Sequence, residues 1–381
     1  MIVRFTAGEV AEPFYPSICA WIYRGALVLL LPAVLVGLLR PSSVLPIAIA
    51  ALGLSIAVIG AINGDEAGAS PPVIAGALAG IAGTSIQRPS VLRLLCGVFA
   101  ACAIVATLLL LVGDIATAGF QSRLGFGWSV AYADSMGHLQ GAQAVFNPNE
   151  SALSLAILLS AALSLPMVTG AFGRIGRWTL AALATAGLIA CGSRGMMLAG
   201  MVGLIMSIHS LRVRERRRLP VLAILLGFIF VLILIGLIVG AMPDSPFSRR
   251  DASENLLSLG DRAPIWEVSL ERLMESPVFG PGRALNGREA ISPHNAMISV
   301  GELSGGVGIC ISLWLVASAV STARRSSCLG VPVVACLFAA GLSADTLTSP
   351  LAWAILGLVC SPAAVEICAI SGGQSRQARR H

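Results

Sequence analysis

A few histidines and arginines are the residues of this 381-residue chain whose type and setting suit chemistry. His294 stands in Ser292-Pro293-His294-Asn295, where a long polar stretch enters an apolar run. A helix starting there presents unpaired N–H groups that favour anions, and imidazole exchanges protons near neutral pH. The plainer reading of His294 is a loop histidine or a helix cap. Arg194, in Cys191-Gly192-Ser193-Arg194-Gly195, falls in a tight hairpin between two apolar runs. A charge there is expensive unless the side chain snorkels or has a partner. Arg262, in Gly260-Asp261-Arg262-Ala263-Pro264-Ile265-Trp266, opens an amphipathic stretch; its plainer role is a salt bridge to Asp261 or a neighbouring acid. Any anion binding must come from a few selected arginines. Arg24 and Glu302 lie within apolar runs and Asp345 near the end of another. Intramembrane charges are functional by default, although Arg24 can snorkel and Glu302 can serve helix packing. His209 and His381 have plain readings, and His138 lies in a loop.

Other chemistries have no motif here. The chain contains no GxxxxGK[ST] phosphate loop, HExxH, CxxC, DxD pair or GxSxG elbow. Neither a metal nor a cofactor is expected. The nine cysteines sit almost entirely in apolar runs, which reads as small buried hydrophobes and not as a disulfide framework.

The elements that must position these residues follow from composition. Hydrophobic residues make up 56% of the chain and charged residues 12%, about half the roughly 25% of a soluble domain. So little charge cannot cover a surface against water, and the expected fold is an all-α polytopic integral membrane protein. Spanning helices of about 20 apolar residues are expected near 19–39, 44–62, 71–86, 91–113, 147–168, 175–191, 194–211, 220–241, 294–320, 331–347 and 350–370. That makes about 11 spans, within a range of 10 to 12, in a single transmembrane domain over 1–381. Gly76 and Gly80, four residues apart, read as a close helix approach.

All the basic residues are arginine, and simple alternation of the spans gathers most of them on one side: Arg40, Arg88, Arg93, Arg174, Arg177, the run from Arg212 to Arg218, Arg324, Arg325 and the 371–381 tail. The acids collect on the other. The positive-inside rule makes the basic side cytoplasmic. The net charge of +6 therefore reports topology, and no nucleic-acid partner is expected. Residues 1–16 carry Glu9 and Glu12 with no basic region ahead of a cleavage site, so no signal peptide is expected there. Two external stretches, 114–146 and 242–293, are too long to be mere connectors. The second holds a short amphipathic helix: Asp261 can cap it, Trp266, Leu270 and Leu273 form its apolar stripe, and Pro277 with Gly280-Pro281-Gly282 end it.

Taken in order, Phe146-Asn147-Pro148-Asn149-Glu150, Ser193-Arg194-Gly195, Arg262 with Trp266, Ser276-Pro277-Val278-Phe279-Gly280-Pro281-Gly282, Pro293-His294-Asn295 and Gly301-Glu302-Leu303-Ser304-Gly305-Gly306 resemble the bacterial O-antigen ligase and polymerase superfamily, over a core of 146–320. The resemblance implies a GT-C-like, metal-independent, inverting glycosyltransferase of the bacterial inner membrane, with its site facing the periplasm. Its donor would be a glycan on a polyprenyl diphosphate, and its acceptor a hydroxyl of lipid A-core or of another glycan. Membrane lipid, a flippase and a chain-length regulator are the partners implied. By analogy Arg194 and Arg262 hold the diphosphate and His294 is the general base, or else a diphosphate ligand. Asn147, Asn149, Asn295, Glu302 and Asp345 are second-tier residues for sugar contact or orientation. A repeat-unit polymerase and a protein O-oligosaccharyltransferase use the same donor, so the motifs leave both open. A secondary transporter using Arg24, Glu302 and Asp345 is the reading from another class; internal repeats and broken midplane helices would mark it.

Overall fold

The computed structural model describes residues 16–39, 41, 43–63, 70–116, 148–163, 171–191, 193–215, 263–282, 295–326, 328–344, 346 and 349–377. Among them every regular element is a helix. In chain order these are α1 (Pro16–Leu39), α2 (Leu45–Ile62), α3 (Ser70–Thr84), α4 (Pro89–Ala116), α5 (Pro148–Ala162), α6 (Ala171–Cys191), α7 (Arg194–Glu215), α8 (Ala263–Glu275), α9 (Ala296–Ala323), α10 (Gly330–Gly341), α11 (Pro350–Val359) and α12 (Pro362–Gln377). Each segment expected from hydropathy overlaps one of these helices except 350–370, which is divided between α11 and α12, and 220–241, which lies outside the described residues.

The distribution of side chains is that of a protein in lipid. Leu29, Leu39, Leu54, Ile62 and Leu94 project outward, more than 60% exposed, while Ser154, Ser160, Ser207, Ser299 and Ser304 are fully buried. Without water in the hydrocarbon, a hydroxyl must be satisfied inside the protein. Ser160, Thr185, Ser304 and Thr322 each donate to the carbonyl four residues earlier. Among the described residues α2 and α9 are long and apolar enough to cross a membrane, and α11 with the first part of α12, bent by 49°, passes the same test if the pair is one span. Hydropathy reads 350–370 as one span; Ser361 and Pro362 interrupt it, because Pro362 supplies no N–H to the preceding turn. The chain is a membrane protein.

Two compact units divide the chain, one formed by 1–24 with 95–258 and the other by 25–94 with 259–381. In the first, α5 packs against both α6 and α7. Residues 152–163 are buried on every face, as expected of a helix that is apolar all round. In the second, α2 packs on α3 and α9, α3 on α11, α8 on α9, and α10 on α9 and α11. The expected role of Gly76 and Gly80 is met by Trp353, which is 2% exposed. A methyl group on Gly76 would stand 2.6 Å from Trp353 Cδ1, and one on Gly80 would stand 3.0 Å from its carbonyl oxygen. Apolar helices gain little from leaving lipid for one another, so close packing of this kind supplies the association.

The cysteines require a correction. Cys328 and Cys368 form a disulfide, with Cα atoms 6.0 Å apart, whereas Cys96, Cys310, Cys336 and Cys360 form none. The two partners lie 40 residues apart, and nothing in their spacing announces that the start of α10 and the middle of α12 meet.

Candidate functional site

The region that carries most of the candidate motifs lies in the second unit, where α8, the turn after it and the first half of α9 interlock. The amphipathic helix expected after Arg262 is α8. Its buried face differs from the expected stripe: Ser269 is 3% exposed, whereas Leu270 is 43% exposed. Ile265, Trp266, Val268, Ser269, Arg272, Leu273 and Ser276 are buried or half-buried, so of the expected stripe only Leu270 turns outward. Leu273 lies against Gly301, and the small side chain at 269 permits a close approach to α9.

The segment Ser276-Pro277-Val278-Phe279-Gly280-Pro281-Gly282 then docks into a kink in α9. Hydropathy reads 294–320 as one uninterrupted helix, but Gly305 has φ 60° and ψ −154°, a region open essentially to glycine alone. The kink exposes backbone groups that the turn satisfies. Gly306 N donates to Pro277 O (2.7 Å), Val307 N to Val278 O (3.3 Å), and Gly282 N to Glu302 O (3.0 Å). Gly280 and Gly282 also have positive φ, 74° and 76°. A Cβ on Gly280 would meet Glu302 O at 2.6 Å and Gly301 O at 2.7 Å. One on Gly305 would strike Gly280 N and Val278 O. The glycines are thus needed where two backbones touch. Asn63, at the end of α2, holds the other side by donating Nδ2 to Gly280 O at 2.9 Å.

A charge pair sits beside this contact. Arg272 donates Nη2 to Gly282 O at 2.7 Å, and its Nη1 lies 4.0 Å from Glu302 Oε1. The two side chains are 15% and 2% exposed. The intramembrane Glu302 therefore has a cation at hand, from a residue that the sequence reading passed over. The signal that would have found it is simple: a buried carboxylate requires a partner, and Arg272 shares the packed face of α8 with Ser269 and Leu273.

Asn295 caps α9. Its Oδ1 accepts from Met297 N (3.0 Å) and Ile298 N (3.2 Å), and its Nδ2 donates to Leu342 O (3.4 Å) just past α10. The capping role weighed for His294 thus belongs to its neighbour. Close by, α9, α10 and α11 enclose a cavity of about 330 Å³. Met297, Leu315, Leu337, Phe338, Leu342 and Trp353 give it an almost wholly apolar wall.

The remaining candidates are placed as follows. Arg194 is the first residue of α7, directly after the expected hairpin from α6. Asn149 falls in the first turn of α5, which begins at Pro148. The side chains of Arg194 and Asn149, and all of Asn147, Arg262, His294 and Asp345, lie outside what the structure describes. Arg272, Asn295 and Glu302 are the functional candidates that the structure brings into one unit with stated geometry.

Comparison with known families agrees with this concentration of motifs. Residues 179–309 match the family model described as O-antigen ligase. The match runs from within α6 to within α9 and takes in Arg194, Arg262, Arg272, His294, Asn295, Glu302 and all three positive-φ glycines. No curated protein matches the chain. Fold and match together describe a helical membrane protein whose residues 179–309 are similar to the O-antigen ligase family.

Proposed function

We propose that this protein transfers a glycan from a polyprenyl diphosphate carrier to an acceptor hydroxyl, of lipid A-core, on the periplasmic face of the bacterial inner membrane. The observation that carries the reading is the O-antigen ligase match over 179–309, a range that contains Arg194, Arg262 and His294. The apolar cavity beside the start of α9 supports it too, since a lipid-linked donor requires an apolar site within reach of polar chemistry.

In this reading the bond between the anomeric carbon and the diphosphate oxygen breaks as the acceptor oxygen bonds to that carbon from the opposite face. The configuration inverts in a single displacement. Negative charge grows on the departing diphosphate, where Arg194 and Arg262 stabilise it as fixed cations. His294 takes the proton from the acceptor hydroxyl as general base. Asn147, Asn149 and Asp345 contact or orient the sugars. The donor bond is already activated, so neither nucleotide nor metal enters the scheme. A flippase supplies the donor on that face, and a chain-length regulator sets its size.

The test is made on cells lacking the protein, by sizing the polyprenyl-linked glycans beside the surface polysaccharide. Long chains on the carrier with a bare acceptor are the expected result. Single repeat units on the carrier would instead identify a repeat-unit polymerase. A profile unchanged on both sides would overturn the enzyme reading and return attention to a transporter.

A further inference from the structure

Glu302 and Arg272 join an amphipathic helix to a membrane-spanning one within a single unit. We propose that the pair is a positioning clamp for the transfer reaction. It fixes the register of α8 and the 276–282 turn on α9, so that the starts of these two helices are held as one body. The inference rests on the ligase-type reading above, because it concerns the helices that directly follow Arg262 and His294 in the chain.

The energetics favour a positioning role. Burying two charges is not the cheapest way to attach one helix to another, since apolar side chains of similar volume serve as well or better. Charges kept within apolar runs are instead associated with register and function. The geometry says which register is set. The guanidinium gives Nη2 to the last carbonyl of the turn and holds Nη1 4.0 Å from the carboxylate of α9. That separation exceeds the roughly 2.9 Å of an N–H···O bond, and Nη1 makes no hydrogen bond among the described residues. The attraction to Glu302 is therefore Coulombic, and it depends on the turn keeping the guanidinium in place. Lifting the turn off the Gly305 kink would carry the cation away from a carboxylate that is 2% exposed. Turn, kink and charge pair hold together or fail together.

The clamp is also close to the reacting ends. Glu302 follows Asn295 by seven residues, about 10 Å along a helix axis, and Arg272 follows Ala263, the first residue of α8, by nine, about 14 Å. A tilt of α8 on α9 is thus delivered directly to the starts of both helices. Arg272 acts through the backbone it holds: its neighbour Glu302 offsets the charge that a direct diphosphate ligand would need.

The experiment compares native chain, Arg272→Met, Arg272→Lys, Glu302→Gln and the Arg272→Met/Glu302→Gln double variant in membranes. Transfer from a polyprenyl-diphosphate-linked glycan and protein abundance are measured on the same preparations. Arg272→Met and Glu302→Gln are each expected to lower kcat on the order of 100-fold, the loss that follows a misplacement of about 1 Å, with KM for the donor unchanged. The double variant should be no worse than the worse single one, because the second charge has nothing left to hold. Arg272→Lys keeps the charge without the fork and should fall between native and Arg272→Met. A raised KM with kcat intact would make Arg272 a donor ligand and overturn the clamp. So would losses that multiply in the double variant, or a native rate in Arg272→Met. If Arg272→Met is absent from the membrane, Arg272→Lys and Glu302→Gln decide on the same terms. His294→Ala in the same assay separates the two ideas. Full transfer by that variant removes the general base and leaves the clamp standing, whereas native rates in the clamp variants beside an inactive His294→Ala remove the clamp alone.

Discussion

Replacing Gly305 by alanine tests the interlock between the 276–282 turn and α9. Two costs arise. The backbone at φ 60°, ψ −154° is one that non-glycine residues occupy at about 1–3 kcal/mol. The new methyl group also collides with Gly280 N and Val278 O, both backbone atoms, so no side chain can swing aside. Relief requires the turn to lift, which loosens the bonds from Gly306 N, Val307 N and Gly282 N. Each such bond contributes about 0.5–1.5 kcal/mol net. With all three bonds lost, the two costs together give a destabilisation of about 2.5–7.5 kcal/mol. Equilibrium unfolding of the purified protein in mixed micelles measures it. Gly97→Ala is the matched control: nothing lies within 4 Å of the added methyl group, and alanine in a helix interior is favoured over glycine by up to about 1 kcal/mol. Equal unfolding free energies for the two variants would refute the reasoning, because the strained backbone and the contact with the turn are what separate them. Glycan transfer by Gly305→Ala should fall as well, at a temperature where the variant is still folded.

Other perturbations act on separate contacts. Asn295→Ala removes the cap of α9 and should cost about 0.5–2 kcal/mol, measured by the same unfolding, while Asn295→Asp, which keeps the accepting Oδ1, should lose less. Gly76→Leu places a large side chain where Cβ alone already stands 2.6 Å from Trp353; overpacking of about 1–3 kcal/mol is expected, and an unchanged unfolding midpoint would count against the α3–α11 contact. His294→Ala should abolish transfer at normal abundance, and retention of full glycan assembly would exclude the general base. Arg194→Lys keeps a charge but loses the bidentate fork, so transfer should drop while abundance, read by immunoblot, stays level.

Much of this protein is legible in its sequence because the forces involved are local. A low charged fraction and runs of about 20 apolar residues specify membrane helices whatever they pack against. The hairpin from Cys191 to Arg194, the amphipathic helix after Arg262 and the close approach at Gly76 and Gly80 are all read from residues a few positions apart. The order of weak motifs from 146 to 306 was likewise enough to suggest the superfamily that the match over 179–309 supports. Tertiary structure decided the rest. Gly305 looks like any glycine in an apolar run until the 276–282 turn arrives to satisfy the opened backbone. Ser269 in place of Leu270 on the packed face depends on the angle at which α8 meets α9. The pairing of Arg272 with Glu302 spans 30 residues, and that of Cys328 with Cys368 spans 40. Such partners are chosen by where helices cross, and crossing is fixed by contacts among side chains far apart in the chain, which no local periodicity records.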